Sequence, residues 1–309
     1  STLDRSSAAS DVYKRQIFTS GTTGRPKGVR ISHRNCINTI LDVNRRYGVT
    51  SADRIIGLSS LGFDLSVYDV FGAFAAGATV TMVGDERDAD EILDVLREER
   101  VTLWNSAPAL LELALVRAAD DDVFPDVRTV LLSGDRIAAG LPARAMDMFP
   151  NASINSLGGA TEGSIWSIHC PLQRDSLENR IPYGYPLANQ GIHVLAPDGV
   201  HCPVGVPGEI HISGLGVAQG YAADPERTAA AFVDVPGIGR CYRTGDVGIF
   251  NAEGFVEFLG RRDRQVKIAG FRVELGEIES VLERSGLVTA SMAAVVESGG
   301  RGLLACLYV

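Results

Sequence analysis

The sequence predicts an α/β fold in which mixed sheets pack against helices, followed by a small β-rich part and the start of a C-terminal α+β part. Two observations predict this fold. From about residue 53 to 190, short apolar runs alternate with segments whose apolar residues recur three and four positions apart, as strands alternate with amphipathic helices around a largely parallel sheet. After residue 190, strand-like runs are separated by glycine-containing turns, which is typical of antiparallel pairs.

The elements follow in chain order from this spacing. In the first part we predict strands at 54–63, 78–84, 101–106 and 128–134. Between and after them we predict helices at 89–100, 109–119 and 141–149. In the second part we predict strand-turn-strand units at 191–214, 239–260 and 264–275, then a helix at 274–286 and a last strand at 302–309.

These patterns divide the chain into four parts. Residues 1–16 are polar and lack periodicity, and we interpret them as a non-native leader, so that the natural chain begins near Ile17. Residues 17–190 are expected to form the α/β part of a large subdomain and residues 191–262 its β-rich part. Residues 263–309 are expected to hold a hinge and the truncated start of a C-terminal subdomain.

Composition excludes several classes of protein. A formal net charge of −9 over 309 residues argues against general nucleic-acid binding, which needs a basic face. No apolar run approaches the roughly 18 residues of a membrane span, so we expect neither nucleic acid nor membrane as a partner. The five cysteines form no C-x-x-C pair, which indicates scattered reduced thiols and a cytoplasmic location.

The segment 17-IFTSGTTGRPKGVRISH-33 has the composition of an anion-binding loop. Hydroxyl side chains and glycines alternate and two cations follow, so backbone amides and side chains can surround a phosphate. It is not a Walker A loop, because Gly28 rather than Ser or Thr follows Lys27. Taken alone, the segment leaves a phosphate-binding loop and a flexible turn equally open.

Further segments decide between these two interpretations by their order and spacing. They are 63-FDLSVYDVFG-72, 155-NSLGGATEGSIWS-167, 208-GEIHISGLGVAQGY-221, 242-YRTGDVG-248 and 254-GFVEFLGRRDRQVKIAGFRVELGEIE-279. From Ile17 onward the chain thus resembles the adenylate-forming (AMP-binding) superfamily, and within it the amino-acid adenylation domains of nonribosomal peptide synthetases. The resemblance implies an acyl-adenylate-forming fold.

The resemblance also implies a reaction and its partners. An amino-acid carboxylate attacks the α-phosphorus of ATP in the presence of Mg²⁺, giving an aminoacyl-adenylate and pyrophosphate. The phosphopantetheine thiol of a peptidyl carrier protein domain then takes the aminoacyl group. In the parent synthetase a condensation or cyclisation domain is expected to flank the module. Catalysis of this kind depends on positioning and charge neutralisation.

Site residues are carried over from the family motif by motif. The phosphate loop corresponds to Thr19, Ser20, Gly21, Thr22, Thr23, Gly24 and Lys27. The Thr161–Glu162 pair supplies the magnesium ligand, Glu162, and Asp246 binds the ribose hydroxyls. Arg261 contacts the ribose and phosphates, Asp263 is the hinge, and Lys267 and Gly270 lie just beyond it. Tyr242 is expected to pack rather than to act in catalysis.

One motif departs from the common family pattern. Most amino-acid adenylation domains have Tyr-Gly-Pro before Thr-Glu, and this Tyr stacks on adenine. Here the residues are Gly158, Gly159 and Ala160, so adenine must stack elsewhere or rely on backbone contacts. The sequence GGATE resembles a subgroup of domains that handle cysteine, so we do not interpret it as inactivation.

The resemblance also marks the positions that select the amino acid. Asp64 corresponds to the aspartate that pairs with the α-ammonium group, with a helix cap as the alternative. The side-chain pocket corresponds to Leu65, Tyr68, Asn105, Leu131, Ser133, Leu157, Ile165 and Trp166. This set resembles cysteine-activating domains, including those of thiazoline-forming siderophore synthetases. Pocket volume alone does not separate Cys from Ser or Ala, and Leu131 and Ile165 also suit ordinary core packing.

Two further expectations complete the sequence analysis. The family's last core motif carries a catalytic lysine that we expect beyond Val309, and a segment before the phosphate loop is expected to be missing as well. The chain should therefore bind an adenylate but be incomplete for adenylate formation. The alternatives are an acyl- or aryl-CoA ligase of the same superfamily and a non-catalytic adenylate-binding module.

Overall fold

The computed structural model describes residues 15–19, 27–119, 121–138, 140–174, 181–262, 265–268, 271–298 and 301–309. Strand β1 (Arg15–Thr19) pairs antiparallel with β2 (Lys27–Ile31). Because β1 begins at Arg15, the first sheet includes two residues of the segment interpreted as a leader. Within the described ranges, no helix has the length and apolarity needed to cross a membrane.

The predicted parallel sheet is present and is extended by two antiparallel strands. Its order is β4-β3-β5-β6-β7-β8-β9, and its first five strands run parallel. The strands are β3 (Arg54–Gly57), β4 (Thr79–Met82), β5 (Leu103–Ser106), β6 (Thr129–Leu132), β7 (Ser153–Gly158), β8 (Ile168–Leu172) and β9 (Tyr185–Pro186). The predicted strand at 54–63 is shorter than expected, since β3 ends at Gly57.

Helices cover the two faces of this sheet. They are α1 (His33–Arg46), α2 (Leu65–Val67), α3 (Ala73–Ala76), α4 (Ala89–Glu98), α5 (Pro108–Arg117) and α6 (Leu141–Met148). The three helices predicted in this part correspond to α4, α5 and α6. A π-helical turn, Tyr68–Gly72, joins α2 to α3. The sequence analysis did not predict α1, which begins with a capping box between Ser32 and Asn35.

Each face of the sheet has its own apolar core. Because side chains alternate along a strand, β5 sends Trp104 into a cluster with Phe149 and sends Leu103 to the opposite side. There Leu103 packs with Tyr68 and Trp166. This second cluster lies under the cleft described below, so the same packing that stabilises the sheet also supports the site.

The β-rich part is antiparallel, as predicted. Its strands are β10 (Gln190–Leu195), β11 (Gly208–Gly214), β12 (Gly220–Tyr221), β13 (Phe232–Val235), β14 (Gly239–Phe250) and β15 (Val256–Arg261). They form a sheet of order β10-β11-β14-β13 with β15 on β14, whereas β12 joins β2 in the first sheet. Helix α7 (Pro225–Ala231) lies between β12 and β13.

The last part contains two antiparallel pairs and a helix. The pairs are β16 (Gln265–Ile268) with β17 (Phe271–Glu274), and β18 (Ser291–Ser298) with β19 (Arg301–Tyr308). Helix α8 (Leu275–Arg284) lies between them. The predicted helix and last strand are thus present, whereas β18 was not predicted.

Candidate active site

A cleft lies where β3, β6 and β7 end and where β14 and β15 form the facing wall. Of the predicted substrate residues it contains Asp64, Leu65, Ser133, Ile165 and Trp166. Of the predicted nucleotide residues it contains Gly158, Gly159, Ala160, Thr161, Asp246 and Arg261. The carboxyl ends of parallel strands are where α/β sheets bind ligands. Residues from six separate segments therefore share one cavity.

Asp64 presents a buried carboxylate to this cleft. Its relative exposure is 5%, and its Oδ2 accepts a hydrogen bond of 2.6 Å from the hydroxyl of Thr161. Asp64 occupies the N-cap position of α2, but its side chain makes no capping hydrogen bond. The helix-cap alternative for Asp64 is therefore wrong, and its carboxylate remains suited to a cationic group of a ligand.

The wall beside Asp64 is held in an unusual backbone conformation. Ser164 and Ile165 both have positive φ, +65° and +73°, which is uncommon for a β-branched residue such as Ile165. The hydroxyl of Ser164 donates to the carbonyl of Gly216 at 2.6 Å and fixes this turn. The indole Nε1 of Trp166 donates to Ser133 Oγ at 2.9 Å. Such strain concentrates at functional sites.

Three predicted pocket residues lie behind this wall. Tyr68, Leu131 and Leu157 are buried in the cluster that contains Trp166 and are absent from the cleft lining. The ring of Tyr68 is 5.0 Å from that of Trp166, and its hydroxyl donates to Asn44 Oδ1 at 2.9 Å. In the structure they support the pocket wall.

Asn105 is also buried, and it is paired with a second carboxyl group. Its Nδ2 donates to Asp69 Oδ1 at 2.7 Å. Among the described residues, Asn105 Oδ1 and Asp69 Oδ2 have no hydrogen-bond partner. Burial raises the pKa of Asp69 to about 7, although Asn105 and Ser59 act in the opposite direction. Neither residue lines the cleft, so Asn105 lies deeper than the sequence analysis expected.

The predicted ribose-binding pair is an ion pair on neighbouring strands. Asp246 of β14 lies opposite Arg261 of β15, and the guanidinium of Arg261 donates to the Asp246 carboxylate. Arg261 also donates to the carbonyl of Thr244 at 3.1 Å. Both side chains keep about 15% of their surface exposed, 14% for Asp246 and 15% for Arg261. The pair is therefore preformed and accessible from the cleft.

A second charged group lies at the exit of the predicted phosphate loop. Glu162 is completely buried and forms an ion pair of 3.2 Å with Lys27 Nζ. The hydroxyl of Tyr221 donates to Glu162 Oε1 at 2.8 Å and accepts from Lys27 at 3.2 Å. Because β12 pairs with β2, Tyr221 stands beside the first residues of β2. The sequence analysis quoted the motif that ends at Tyr221 but did not assign this residue a role.

The fit of a magnesium ion depends on Glu162. Within the described ranges, no group of three or more His, Cys, Asp or Glu side chains could hold a metal. Nucleotide-bound Mg²⁺ usually takes one or two carboxylates and completes its shell with phosphate oxygens and water. A single carboxylate beside Lys27 fits an ion that enters with a triphosphate.

Several predicted residues lie outside the described part of the chain. They are Ser20, Gly21, Thr22, Thr23, Gly24, Asp263 and Gly270. For Thr19 and Lys267 only the backbone is described, in β1 and β16. The roles of these residues in phosphate binding and domain movement therefore stay predictions.

The fold and the cleft together define an α/β protein with separate places for an ammonium group and a ribose in one cavity. Residues 15–222 match the family model described as "AMP-binding enzyme". The chain belongs to this family of AMP-binding enzymes.

Relatives with known names place the chain among peptide synthetases. It is 51% identical over 267 residues to bacitracin synthase 1 of Bacillus licheniformis, covering 86% of this chain and 5% of the relative. It is 48% identical over 279 residues to pyochelin synthetase PchF of Pseudomonas aeruginosa (strain UCBPP-PA14), covering 89% of this chain and 15% of the relative. The chain thus spans only a small part of either protein.

A solved structure shows the same fold. The structure of holo-PA1221, a nonribosomal peptide synthetase protein with adenylation and PCP domains bound to a vinylsulfonamide inhibitor, superposes with a TM-score of 0.88. The two chains are 28% identical, and the match covers 97% of this chain and 52% of the other. The chain therefore has the fold of an adenylation domain, with the α/β and β-rich parts expected from the sequence.

Proposed function

We propose that the chain activates an amino acid with ATP, giving an aminoacyl-adenylate and pyrophosphate for transfer to a carrier-bound phosphopantetheine. The observation that carries this proposal is the single cleft that contains both Asp64 and the Asp246–Arg261 pair. An aminoacyl-adenylate has an ammonium group at one end and a ribose towards the other. The cleft offers a carboxylate for each.

The amino acid is bound through its charge at the α-carbon. Asp64 is 5% exposed, so its carboxylate is a strong partner for an ammonium group that replaces water. Thr161 donates to Asp64 and holds the carboxylate in one orientation. The amino-acid carboxylate then points along the cleft towards the predicted nucleotide residues. Positioning of this kind brings the nucleophilic oxygen to the α-phosphorus.

The nucleotide is bound by the ribose pair and by charge at the phosphates. Asp246 accepts hydrogen bonds from the ribose hydroxyls, and Arg261 lies beside it to face the phosphate. Lys27, 3.2 Å from Glu162, supplies positive charge for the leaving pyrophosphate. A magnesium ion brought in with ATP would be held by Glu162 and would neutralise phosphate charge. The protein groups thus stabilise the charge that develops in the transition state.

Within this activity, cysteine is the amino acid that we propose. The pocket beside Asp64 is closed by the bulky ring of Trp166, which is fixed by Ser133, so a short side chain suits it. Ser133 also offers a polar atom to a thiol. We further propose that a peptidyl carrier protein domain and a condensation or cyclisation domain are the partners of this module. A cytoplasmic, siderophore-forming synthetase remains the proposed setting.

The rival activity is that of an acyl- or aryl-CoA ligase, whose acid carries no amine. Asp64 disfavours it, because an uncharged acid would leave a buried carboxylate in the cleft without a cationic partner. The non-catalytic module is disfavoured by the preserved set of Lys27, Glu162, Asp246 and Arg261, which contact one another in two ion pairs.

Calorimetric binding of stable adenylate analogues tests the proposal. Cysteinyl-, seryl- and valyl-sulfamoyl-adenosine should bind in that order of affinity, with the cysteinyl compound tightest. The 3-mercaptopropionyl analogue, which lacks only the amine, should bind about 10- to 100-fold more weakly, as expected for loss of a charged hydrogen bond. Equal affinity for the three aminoacyl compounds would contradict cysteine selection. Equal affinity with and without the amine would favour the CoA ligase.

The Asp64→Asn variant supplies the matched control for the same experiment. It should weaken the cysteinyl compound to the level of its amine-free analogue. It should leave AMP binding unchanged, because AMP does not reach the amino-acid end of the cleft. A loss of AMP affinity in this variant would show that Asp64 supports the whole cleft and would contradict its assigned role.

A further inference from the structure

Tyr183 occupies a position at the cleft that the sequence analysis left empty. It is half-buried, and its ring lies directly against Gly158. A Cβ atom built on Gly158 would lie only 2.1 Å from Tyr183 Cε2. Any side chain at position 158 would therefore collide with this ring. The glycine that replaces the usual motif residue makes room for an aromatic ring from another segment.

The backbone around Tyr183 fixes the ring in this place. Gly184 exchanges two hydrogen bonds with Val256 of β15, of 3.1 and 2.9 Å. Gly184 has a φ of +114°, and a Cβ at this residue would lie 2.1 Å from the carbonyl oxygen of His169. Only glycine permits this close approach. Phe258 packs beside the ring with 5.9 Å between centroids.

The ring is also a neighbour of the ribose pair. Burial raises the pKa of Tyr183 well above its usual value, and the Asp246 carboxylate adds to the rise. Arg261 and the backbone amide of Gly159 act in the opposite direction. These groups surround the phenol, which stays neutral at physiological pH. A fixed, uncharged aromatic ring thus lies between the glycine turn of the cleft and Asp246–Arg261.

We propose that Tyr183 is the residue on which the adenine base of the nucleotide stacks. This inference rests on the proposed function, since it assumes that Asp246 binds the ribose. A base attached to that ribose reaches the glycine turn, where Gly158 and Gly159 expose backbone and the Tyr183 ring is the adjacent aromatic surface. Stacking of a base on an aromatic side chain is worth about 1–3 kcal/mol, and the preformed ring loses little conformational freedom.

Calorimetric titration with AMP on four proteins tests this role. Tyr183→Leu should weaken AMP binding about tenfold, in line with the stacking energy, whereas Tyr183→Phe should bind like the wild type because the ring remains. Tyr185→Leu is the matched control: Tyr185 lies two residues away, is 41% exposed and is not near the glycine turn. Circular dichroism confirms that each variant is folded.

A relocation of the ring gives a second and independent test. Gly158→Tyr alone collides with Tyr183 and should lose AMP affinity, whereas Gly158→Tyr combined with Tyr183→Leu should regain it. A folded Tyr183→Leu variant with wild-type affinity would overturn the inference, as would a Phe variant as weak as the Leu variant. Failure of the wild-type chain to bind AMP would overturn the proposed function and this inference with it.

Discussion

Glu162 illustrates how the site balances a completely buried carboxylate. An isolated charge would be costly at this depth, but Lys27 neutralises it at 3.2 Å and the hydroxyl of Tyr221 donates to the same oxygen. Tyr221 is itself held by its own backbone N–H, which donates to Thr228 Oγ1 at 2.9 Å. One fixed hydroxyl therefore orients two opposite charges that both face the predicted phosphates.

Replacing Tyr221 by Phe tests this arrangement. We expect the affinity for Mg²⁺–AMPPNP to fall about tenfold, the effect of one hydrogen bond to a charged group. AMP affinity should stay unchanged, since AMP lacks the β- and γ-phosphates; calorimetry measures both. Tyr47→Phe is the control, because Tyr47 Oη is buried without a hydrogen-bond partner among the described residues. An equal loss for both nucleotides would reduce Tyr221 to a packing residue.

Asp69 gives a prediction about pH. Burial raises its pKa to about 7 in the folded protein, so folding takes up a proton between about pH 4 and pH 7 and wild-type stability falls as pH rises through this range. Asp69→Asn removes that dependence. Thermal denaturation should show the melting temperature of the variant, relative to wild type, increasing from pH 5 to pH 8. Parallel profiles would mean that Asp69 titrates normally.

Sequence motifs predicted which residues meet in the cleft, but not the depth of each. Asp64, Ser133 and Trp166 line it as expected. Asn105 lies deeper, because its amide is bound to Asp69 36 positions earlier in the chain. Tyr183 was missed for a similar reason: the space beside Gly158 is filled by a residue 25 positions away. Contacts between distant segments have no signature in local spacing.

At the scale of elements, a buried ion pair joins the starts of two strands. Asp53, just before β3, forms an ion pair of 2.7 Å with Arg128, just before β6. Burial would raise the pKa of Asp53, but hydrogen bonds from Arg128, Thr50 and Thr102 prevail and lower it to about 2. Arg128 also donates to the backbone carbonyls of Tyr47 and Gly48, which lie at the end of α1.

Asp53→Asn should lower the free energy of unfolding at pH 7 by about 2–3 kcal/mol, the worth of a buried charged hydrogen-bond group. Since the pKa is depressed in the folded state, this stabilisation is present above about pH 4 and is lost as pH falls towards 2. Urea denaturation at pH 7 and pH 3 measures it. Asp126→Asn, which breaks an exposed pair with Arg100, should have little effect; equal effects would contradict the assignment.

Periodicity predicted the elements with clear apolar faces and missed those with buried polar groups. Helices α4, α5 and α6 were predicted, but α1 was not. Its buried positions include Asp42 and Asn44, which break the apolar pattern. Asp42 accepts from the backbone amide of Ala188, and Asn44 donates to the carbonyl of Gly72. Such partners become evident only in the folded chain.

At the scale of the whole molecule, the cleft depends on how the α/β part meets the β-rich part. Composition and periodicity predicted both parts, and the motif order implied that they share a site. The parallel sheet contributes Asp64 and Trp166, whereas β14 and β15 contribute Asp246 and Arg261. Neither part alone has a place for both ends of an aminoacyl-adenylate. The central claim is that one ligand joins them.

The most direct test is a crystal structure of the chain with cysteinyl-sulfamoyl-adenosine. The account predicts the ammonium group within hydrogen-bond distance of Asp64, the ribose hydroxyls at Asp246 and the adenine against Tyr183. The thiol should point towards Trp166 and Ser133. A ligand whose ammonium lies away from Asp64, or whose ribose lies away from Asp246, would contradict the claim that this cleft activates an amino acid.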